Sequence, residues 1–264
     1  MVVRTKFLPQ KTYETKLIGK TKSVIEISGD QDRLSQLRAS GIELPMTVSS
    51  ENQMDLVIRT GHQAGDGGFP ATVMYKSGYT KMSSKGNDQL EPSPISGMVV
   101  KGRYNSNNQF EVDTIVNKRF DQSMKQQVKS SLENVGNAIP FPEEPMNVGD
   151  SFSQSFPITF PALSGFTAVD FPILSIYTVT DIEKERVKFS IDQSVNIDSL
   201  VNGNYISAIG NGLGEAVYSI TENFLTEHRY DLEMNINLSV NNLLIDAQTE
   251  LSSSQKVNIE STSQ

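Results

Sequence analysis

Along the C-terminal third of the chain, apolar and polar residues alternate one for one. In RYDLEMNINLSV, Tyr230, Leu232, Met234, Ile236, Leu238 and Val240 fall on one side of an extended strand, and Arg229, Asp231, Glu233, Asn235, Asn237 and Ser239 on the other. One face is oily and the other wet. The same period-two rhythm runs through Val187, Phe189 and Ile191, and through Leu243, Ile245, Ala247, Thr249 and Leu251. Turn-forming residues separate such runs: NSNN at 105–108, VNGN at 201–204, TEN at 221–223 and NN at 241–242. The pattern predicts long strands joined by short hairpins, a meander.

One segment keeps a different period. In NKRFDQSMKQQVKSSLENVGNAI, Phe120, Met124, Val128, Leu132 and Val135 recur every three or four residues, which predicts an amphipathic helix over 118–136 ending near Gly136. Its apolar stripe is narrow, so the helix is expected to lie on one face of a sheet. A shorter helix is predicted in DQDRLSQLRASG, capped by Asp30 or Asp32 and stopped by Gly41. The expected fold class is mainly β, α+β at most: a large curved antiparallel sheet or two half-sheets, with the amphipathic helix packed on the concave face. Tyr104 and Phe110 flank NSNNQ much as Tyr218 and Phe224 flank SITEN. The chain is therefore either one large β domain, 1–264, or two pseudo-repeated halves, 1–117 and 138–264, joined by helix 118–136.

Composition narrows the function classes. A chain of 264 residues can bury a sizeable core, and its net charge of −8 is not gathered into a run. Nucleic-acid surfaces show clustered Lys and Arg, which are missing here. With no Cys, disulfide frameworks, thiolate catalysis and Cys-based zinc sites are excluded, and two histidines leave little for a metal cluster. No run of about 18 unbroken apolar residues suggests a membrane span. The opening MVVRTKFLPQKTYETK has no apolar leader core and starts close to the first plausible strand, so a trimmed export signal is expected.

Three features carry candidate chemistry. GNGLGEAVY places Gly210, Gly212 and Gly214 at Gly-x-Gly-x-Gly spacing. A dinucleotide site needs Gly-x-Gly-x-x-Gly between strand and helix, and a Walker loop needs Gly-Lys-Ser/Thr; neither is present. In a strand the glycines share one side with Ile206, Ala208, Ala216, Tyr218 and Ile220 and leave that face bare in its middle. They are either a bend or a bed for the 118–136 helix, or a floor that a ligand touches. Residues 151–177 hold Phe152, Phe156, Phe160, Phe166 and Phe171 with Pro157, Pro161 and Pro172, which predicts an apolar connection between two strand pieces. It either closes one end of the core, or forms a lid over an apolar cavity or a contact surface. The candidate apolar ligand site therefore comprises Phe120, Met124, Val128 and Leu132 of the helix, Phe156, Phe160, Phe166 and Phe171 of the Phe-rich stretch, and Gly210, Gly212 and Gly214.

No catalytic set emerges. His62 lies in TGHQAGDGGFP, a Gly-rich loop with Asp66, and no elbow or paired-histidine motif accompanies it. His228, in TEHRYD, is placed on the polar face of a strand beside Glu227 and Arg229. Asp181, Glu183 and Glu185 alternate around a turn, with too few oxygen ligands and no fixed Gly for a calcium loop. The expectation is a non-catalytic protein with no cofactor and no metal.

FLPQKTY, Phe7 to Tyr13, matches an F-x-P/x-x-G-x-x-Y-like opening, with Gln10 and Lys11 where Gly is often seen. PEEPMNVGDSF, Pro142 to Phe152, matches P-x-x-P-V-x-V-G-D-S-W/F. On these residues the chain resembles a loose group of exported lipoproteins of Gram-negative gut bacteria whose role is uncharacterised. The resemblance covers most of the chain. It implies a cleaved leader, a lipidated Cys upstream of residue 1 and a location in the periplasm or on the outer membrane, and it supplies no catalytic residues. The expected function is an exported envelope protein that binds an apolar or lipid-like ligand; the alternative is a structural or protein-interaction module of the envelope with no small-molecule site.

Overall fold

Buried side chains recur at every second position of the long strands. On β11 (Phe224–Val240), Leu232, Met234, Ile236 and Leu238 are buried while Asp231, Glu233, Asn235 and Asn237 are exposed. A computed structural model describes residues 1–84, 87–117, 119–134, 141–160, 169–201, 204–240 and 242–262. The elements before β11 are β1 (Lys11–Gly29), α1 (Gln31–Ala39), β2 (Met46–Thr60), β3 (Phe69–Ser84), β4 (Asn87–Pro92), β5 (Val99–Tyr104), β6 (Phe110–Val116), α2 (Gln122–Asn134), β7 (Ser151–Phe160), β8 (Val169–Ile182), β9 (Arg186–Val201) and β10 (Asn204–Ser219); β12 (Leu243–Ser261) follows it. All the strands belong to one 12-stranded antiparallel sheet in the order β6-β5-β3-β2-β1-β12-β11-β10-β9-β8-β7, with β4 paired on β3. Strands β7 to β12 form the expected meander. The first and last strands meet in the middle, paired from Lys11 opposite Ser261 to Gly29 opposite Leu243.

Local signals account for the turns and the first helix. Asn108, Asn223 and Asn242 take positive φ between β5 and β6, β10 and β11, and β11 and β12, a conformation Asn tolerates. The Asp30 carboxylate accepts from the Arg33 amide at 3.0 Å and caps α1; Gly41, at φ +85°, lies just past its end. The turn at Asn202–Gly203 lies outside the described residues. The strand pieces expected around the Phe-rich stretch are β7 and β8, with Pro157 opposite Pro172. An edge strand such as β7 tolerates a proline because half of its amides need no partner.

A sheet with one oily face and no second sheet must curl to bury it. The N-terminal segment sits inside that curl. Phe7 stacks on Tyr104 of β5 at a ring separation of 4.6 Å and meets Phe224 of β11 edge-on at 5.0 Å. Those two strands stand five places apart in the sheet, which would be about 24 Å if it were flat. The Tyr218 hydroxyl donates to the Arg4 carbonyl at 2.8 Å, and the Tyr13 hydroxyl accepts from the Leu8 amide at 2.7 Å, so the segment is tied at both ends.

The glycines of β10 face a closely packed neighbour strand. A methyl group on Gly210 would lie 2.5 Å from the Glu233 carbonyl oxygen, and one on Gly212 would lie 2.6 Å from the Asp231 carbonyl oxygen; one on Gly214 would collide with the Arg229 carbonyl. The backbone of β11 lies close against all three positions, with unbroken register between β10 and β11 there, so none has room for a side chain. They are not a bed for the helix. The α2 N-terminus is set by Asp121, whose carboxylate accepts from the Met124 amide at 2.8 Å, so the helix starts at Gln122 rather than at 118. Val128 and Leu132, with buried Phe120, pack on Phe69, Val100, Tyr104 and Phe110 of β3, β5 and β6. The helix thus covers the inner face at the β6 end of the sheet, seven strands from β10. Its expected end at Val135 and Gly136 lies outside the described residues.

Gly210→Ala is expected to lower stability by about 2 kcal/mol, the cost of forcing a methyl into an occupied space. Gly19→Ala in β1, where a methyl meets nothing within 4 Å, is expected to raise it by about 0.5 kcal/mol. Urea unfolding midpoints of the two variants check the contrast; equal shifts would contradict it.

Candidate functional site

The inner face is not filled everywhere. A cavity of about 350 Å³ remains between the N-terminal segment and the strands from β7 to β12, within the range of small-ligand sites. Strand alternation aims its wall. On β9 the inward series Val187, Phe189 and Ile191 continues to Gln193 and Val195; on β8 it places Ile173, Ser175 and Tyr177, and on β11 His228 and Tyr230. Phe156 enters from β7, opposite Ile173, while Ser253 and Gln255 of β12 stand opposite Tyr230 and His228. Thr5, Pro157, Phe224 and Leu225 complete the wall. Strands β7 and β12 line one small space only because the sheet curls.

The cavity is apolar with one polar corner. Gln193 donates through Nε2 to the Ser175 hydroxyl at 3.1 Å, both residues buried. The Tyr177 hydroxyl and His228 Nε2 lie 3.1 Å apart, and the His228 ring stands edge-on to Tyr230 at 5.6 Å. The Tyr230 hydroxyl is bonded to Ser253. Burial pulls the His228 imidazole down to about 4 and pushes the Tyr177 and Tyr230 phenols up, so all three rings are neutral at pH 7. Among the described residues, no Asp, Glu, Lys or Arg lines the wall. A larger groove of about 640 Å³ lies on the opposite face of the sheet, where Lys20 pairs with Glu51 at 3.4 Å and Lys81 with Asp88 at 2.6 Å. That is a solvated ion-pair network of small energetic weight.

The residues expected to form one site are divided between two. Phe120, Val128 and Leu132 belong to the β3–β5–β6 cluster, and Met124 is 42% exposed. Phe156 lines the cavity. Phe160 and Phe171 stand in the β7–β8 ladder opposite Val169 and Ile158. Phe166 lies outside the described residues. Gly212 adjoins the cavity through Gln193, while Gly210 and Gly214 press against β11.

His228 is not on the polar face. Counted back from Tyr230, strict alternation turns it inward, and only its neighbours Glu227 and Arg229 are exposed. His62 is exposed, as expected of a surface loop, and Asp66 pins that loop by accepting from the Gly68 amide at 3.0 Å and from Arg103. Asp181 and Glu183 both pair with Lys188. Among the described residues, no group of acidic and His side chains is arranged to hold a metal. The sequence pattern does not mark Tyr177, Gln193 and Ser253, and it places Tyr230 only as part of the oily face; extending the alternation of β9 by one more step marks Gln193 as a buried polar residue.

No family model matches the sequence, and no curated protein matches it. Among solved structures, lipovitellin from a study of its lipid–protein interactions is similar at 11% identity and a TM-score of 0.42; the match covers 98% of this chain and 26% of that one. The chain thus spans about a quarter of the lipovitellin chain. The translocator domain of autotransporter NalP from Neisseria meningitidis is similar at 7% identity and a TM-score of 0.28, covering 90% of this chain and 87% of that one. OccK7 (OpdD) of Pseudomonas aeruginosa is similar at 8% identity and a TM-score of 0.25, covering 94% and 99%. At these TM-scores the function rests on the cavity's own residues.

The lowered pKa of His228 links protonation to folding. The unfolded imidazole takes its proton near 6.5 and the folded one only near 4, so this contribution is complete above pH 6.5 and is lost as the pH falls toward 4. The loss amounts to about 3 kcal/mol at pH 4. His228→Gln, which keeps a neutral polar group beside Tyr177, is expected to flatten the stability profile across that window in urea titrations; an unchanged slope would contradict the burial of the ring.

Proposed function

We propose that the chain is a non-catalytic, exported envelope protein that holds one apolar, lipid-like molecule in the cavity between β7 and β12. The observation that carries this is the wall itself: Phe156, Ile173, Phe224 and Leu225 beside neutral polar groups, with no charged side chain among the described residues. Such a wall favours an oily molecule that carries little or no charge. The outward faces of the central strands are the reverse, with Glu14, Lys16, Lys20, Asp231, Glu233 and Glu250 exposed. A barrel in a bilayer carries its apolar band outside, so the sheet's polarity fits a carrier standing in water. An address in the periplasm or on the outer membrane, with a lipid anchor upstream of residue 1, completes the proposal and rests on the lipoprotein-like motifs at Phe7–Tyr13 and Pro142–Phe152.

A second reading, an envelope interaction module with no small-molecule site, is favoured by exposed Leu200, Ile209 and Leu213 on the outer faces of β9 and β10. The two readings separate in one experiment. Uptake of N-phenyl-1-naphthylamine by the purified protein, followed by its fluorescence and by native mass spectrometry, is expected to show one bound molecule. Ser253→Phe, which fills the cavity from β12, is expected to abolish uptake while unfolding within about 1 kcal/mol of the parent. Absence of uptake by the parent protein, or undiminished uptake by the variant, would contradict the carrier reading.

A further inference from the structure

We propose that the outer face of β8 to β11 is a docking surface for a basic amphipathic helix of a partner protein. The inference goes beyond the carrier reading, because this face lies across the sheet from the cavity and stands or falls apart from it. Its apolar side chains have no cover. Leu213 is 69% exposed and Ile209 60%, and Leu174 and Ile176 of β8 are exposed with them. Register gathers them into one area. Ile176, Asp192, Leu213 and Asp231 stand directly opposite one another across four strands, and Leu174, Ser194, Asn211 and Glu233 form the next row. Residues of both rows line an open groove of about 730 Å³. A single exposed leucine means little, but aliphatic side chains grouped along a groove mark a contact surface.

Charge sets the chemistry of the occupant. On the outer face of β1 to β3, Lys76 pairs with Glu14 at 3.1 Å and Lys20 with Glu51 at 3.4 Å. Around Leu213 the acids are left over. Among the described residues Asp192, Asp231 and Glu233 have no ion pair, and no Lys or Arg lines the groove. Glu233 also stands directly opposite Glu250, whose cation, Lys22, lies 3.9 Å away. Like charges opposite one another weaken a sheet. A partner carrying Lys or Arg beside aliphatic side chains relieves that repulsion and covers the Leu213 row in one contact. An anionic membrane surface would instead meet the acids with its own negative charge.

The topology decides for a helix. Strands β8 to β11 lie inside the sheet, each paired on both sides, so their backbones offer no edge to an added strand. A partner has only side chains to hold and must satisfy its own backbone, which a helix does. The helices of this chain are not the occupant. The stripe of α2 is spent on β3, β5 and β6, and α1 is anchored by buried Leu34.

The test is fluorescence anisotropy at low salt with a labelled amphipathic helix of leucine and lysine, and with its counterpart of leucine and glutamate. The lysine peptide is expected to bind the parent protein at least about tenfold more tightly than the glutamate peptide. Leu213→Ser is expected to weaken its binding about tenfold. Asp192→Asn combined with Asp231→Asn is expected to weaken it about tenfold and to flatten its salt dependence. Glu91→Gln combined with Glu144→Gln, which removes the same charge from exposed positions elsewhere, is expected to leave binding unchanged. No binding by the parent, equal binding of the two peptides, unchanged binding by Leu213→Ser, or an equal loss in the Glu91 and Glu144 variant would overturn the inference. Flotation of the parent with vesicles of phosphatidylcholine and phosphatidylglycerol, lost in Leu213→Ser, would assign the face to a membrane and overturn it as well. Uptake of N-phenyl-1-naphthylamine reads the cavity separately, and its failure would overturn the carrier reading alone.

Discussion

A single sheet with one oily face has to hide that face from water, and no second sheet is present among the described residues to cover it. The 12 strands do so by curling on themselves. The curl is fastened at Phe7, whose ring joins Tyr104 on β5 to Phe224 on β11, and at Tyr218, whose hydroxyl grips the backbone of residue 4. The meeting of β1 and β12 at the centre is a consequence of the same design. Chain ends that pair there bring the N-terminal segment to the mouth of the curl, where it serves as filling. Helix α2 covers the face at the β6 edge together with Phe7, both packing on the same cluster of β3, β5 and β6.

Curvature and cavity have one origin. Bending requires small residues on the inside of the bend, and small residues also leave space. Gly210, Gly212 and Gly214 let β11 pack close on β10, and Ser253 stands where a larger side chain would fill the cavity. The polar groups left in that space have to satisfy one another without charge. Tyr177 with His228, Tyr230 with Ser253 and Gln193 with Ser175 do so pairwise, and the Gln193 carbonyl oxygen remains over.

Much of this architecture was legible locally. The alternation over 229–240, the asparagine turns, the Asp30 cap and the mainly-β class with an amphipathic helix all depend on residues close in sequence, and the structure agrees with each. The composition of the site was not legible, because it depends on which strands meet. The helix follows the β5–β6 hairpin and packs back onto it, so its stripe of Phe120, Val128 and Leu132 is spent on neighbours in the chain rather than on β10. The inward position of His228 differs from the expected polar face for a different reason. It is flanked by the charged Glu227 and Arg229, whereas the period-two count places it inward with Tyr230. The isolated polar side chain of Gln193 shows no special motif, and only its register with Gly212 and Ser175 gives it meaning.

The curl about Phe7 is the claim on which the cavity, the neutral histidine and the ligand class all depend. Nuclear Overhauser contacts from the Phe7 ring, in protein labelled selectively at Phe and Tyr, test it most directly. Cross-peaks from Phe7 to both Tyr104 and Phe224 are the expected result. Contacts to one of these strands without the other would mean that the sheet lies open, and would contradict the account.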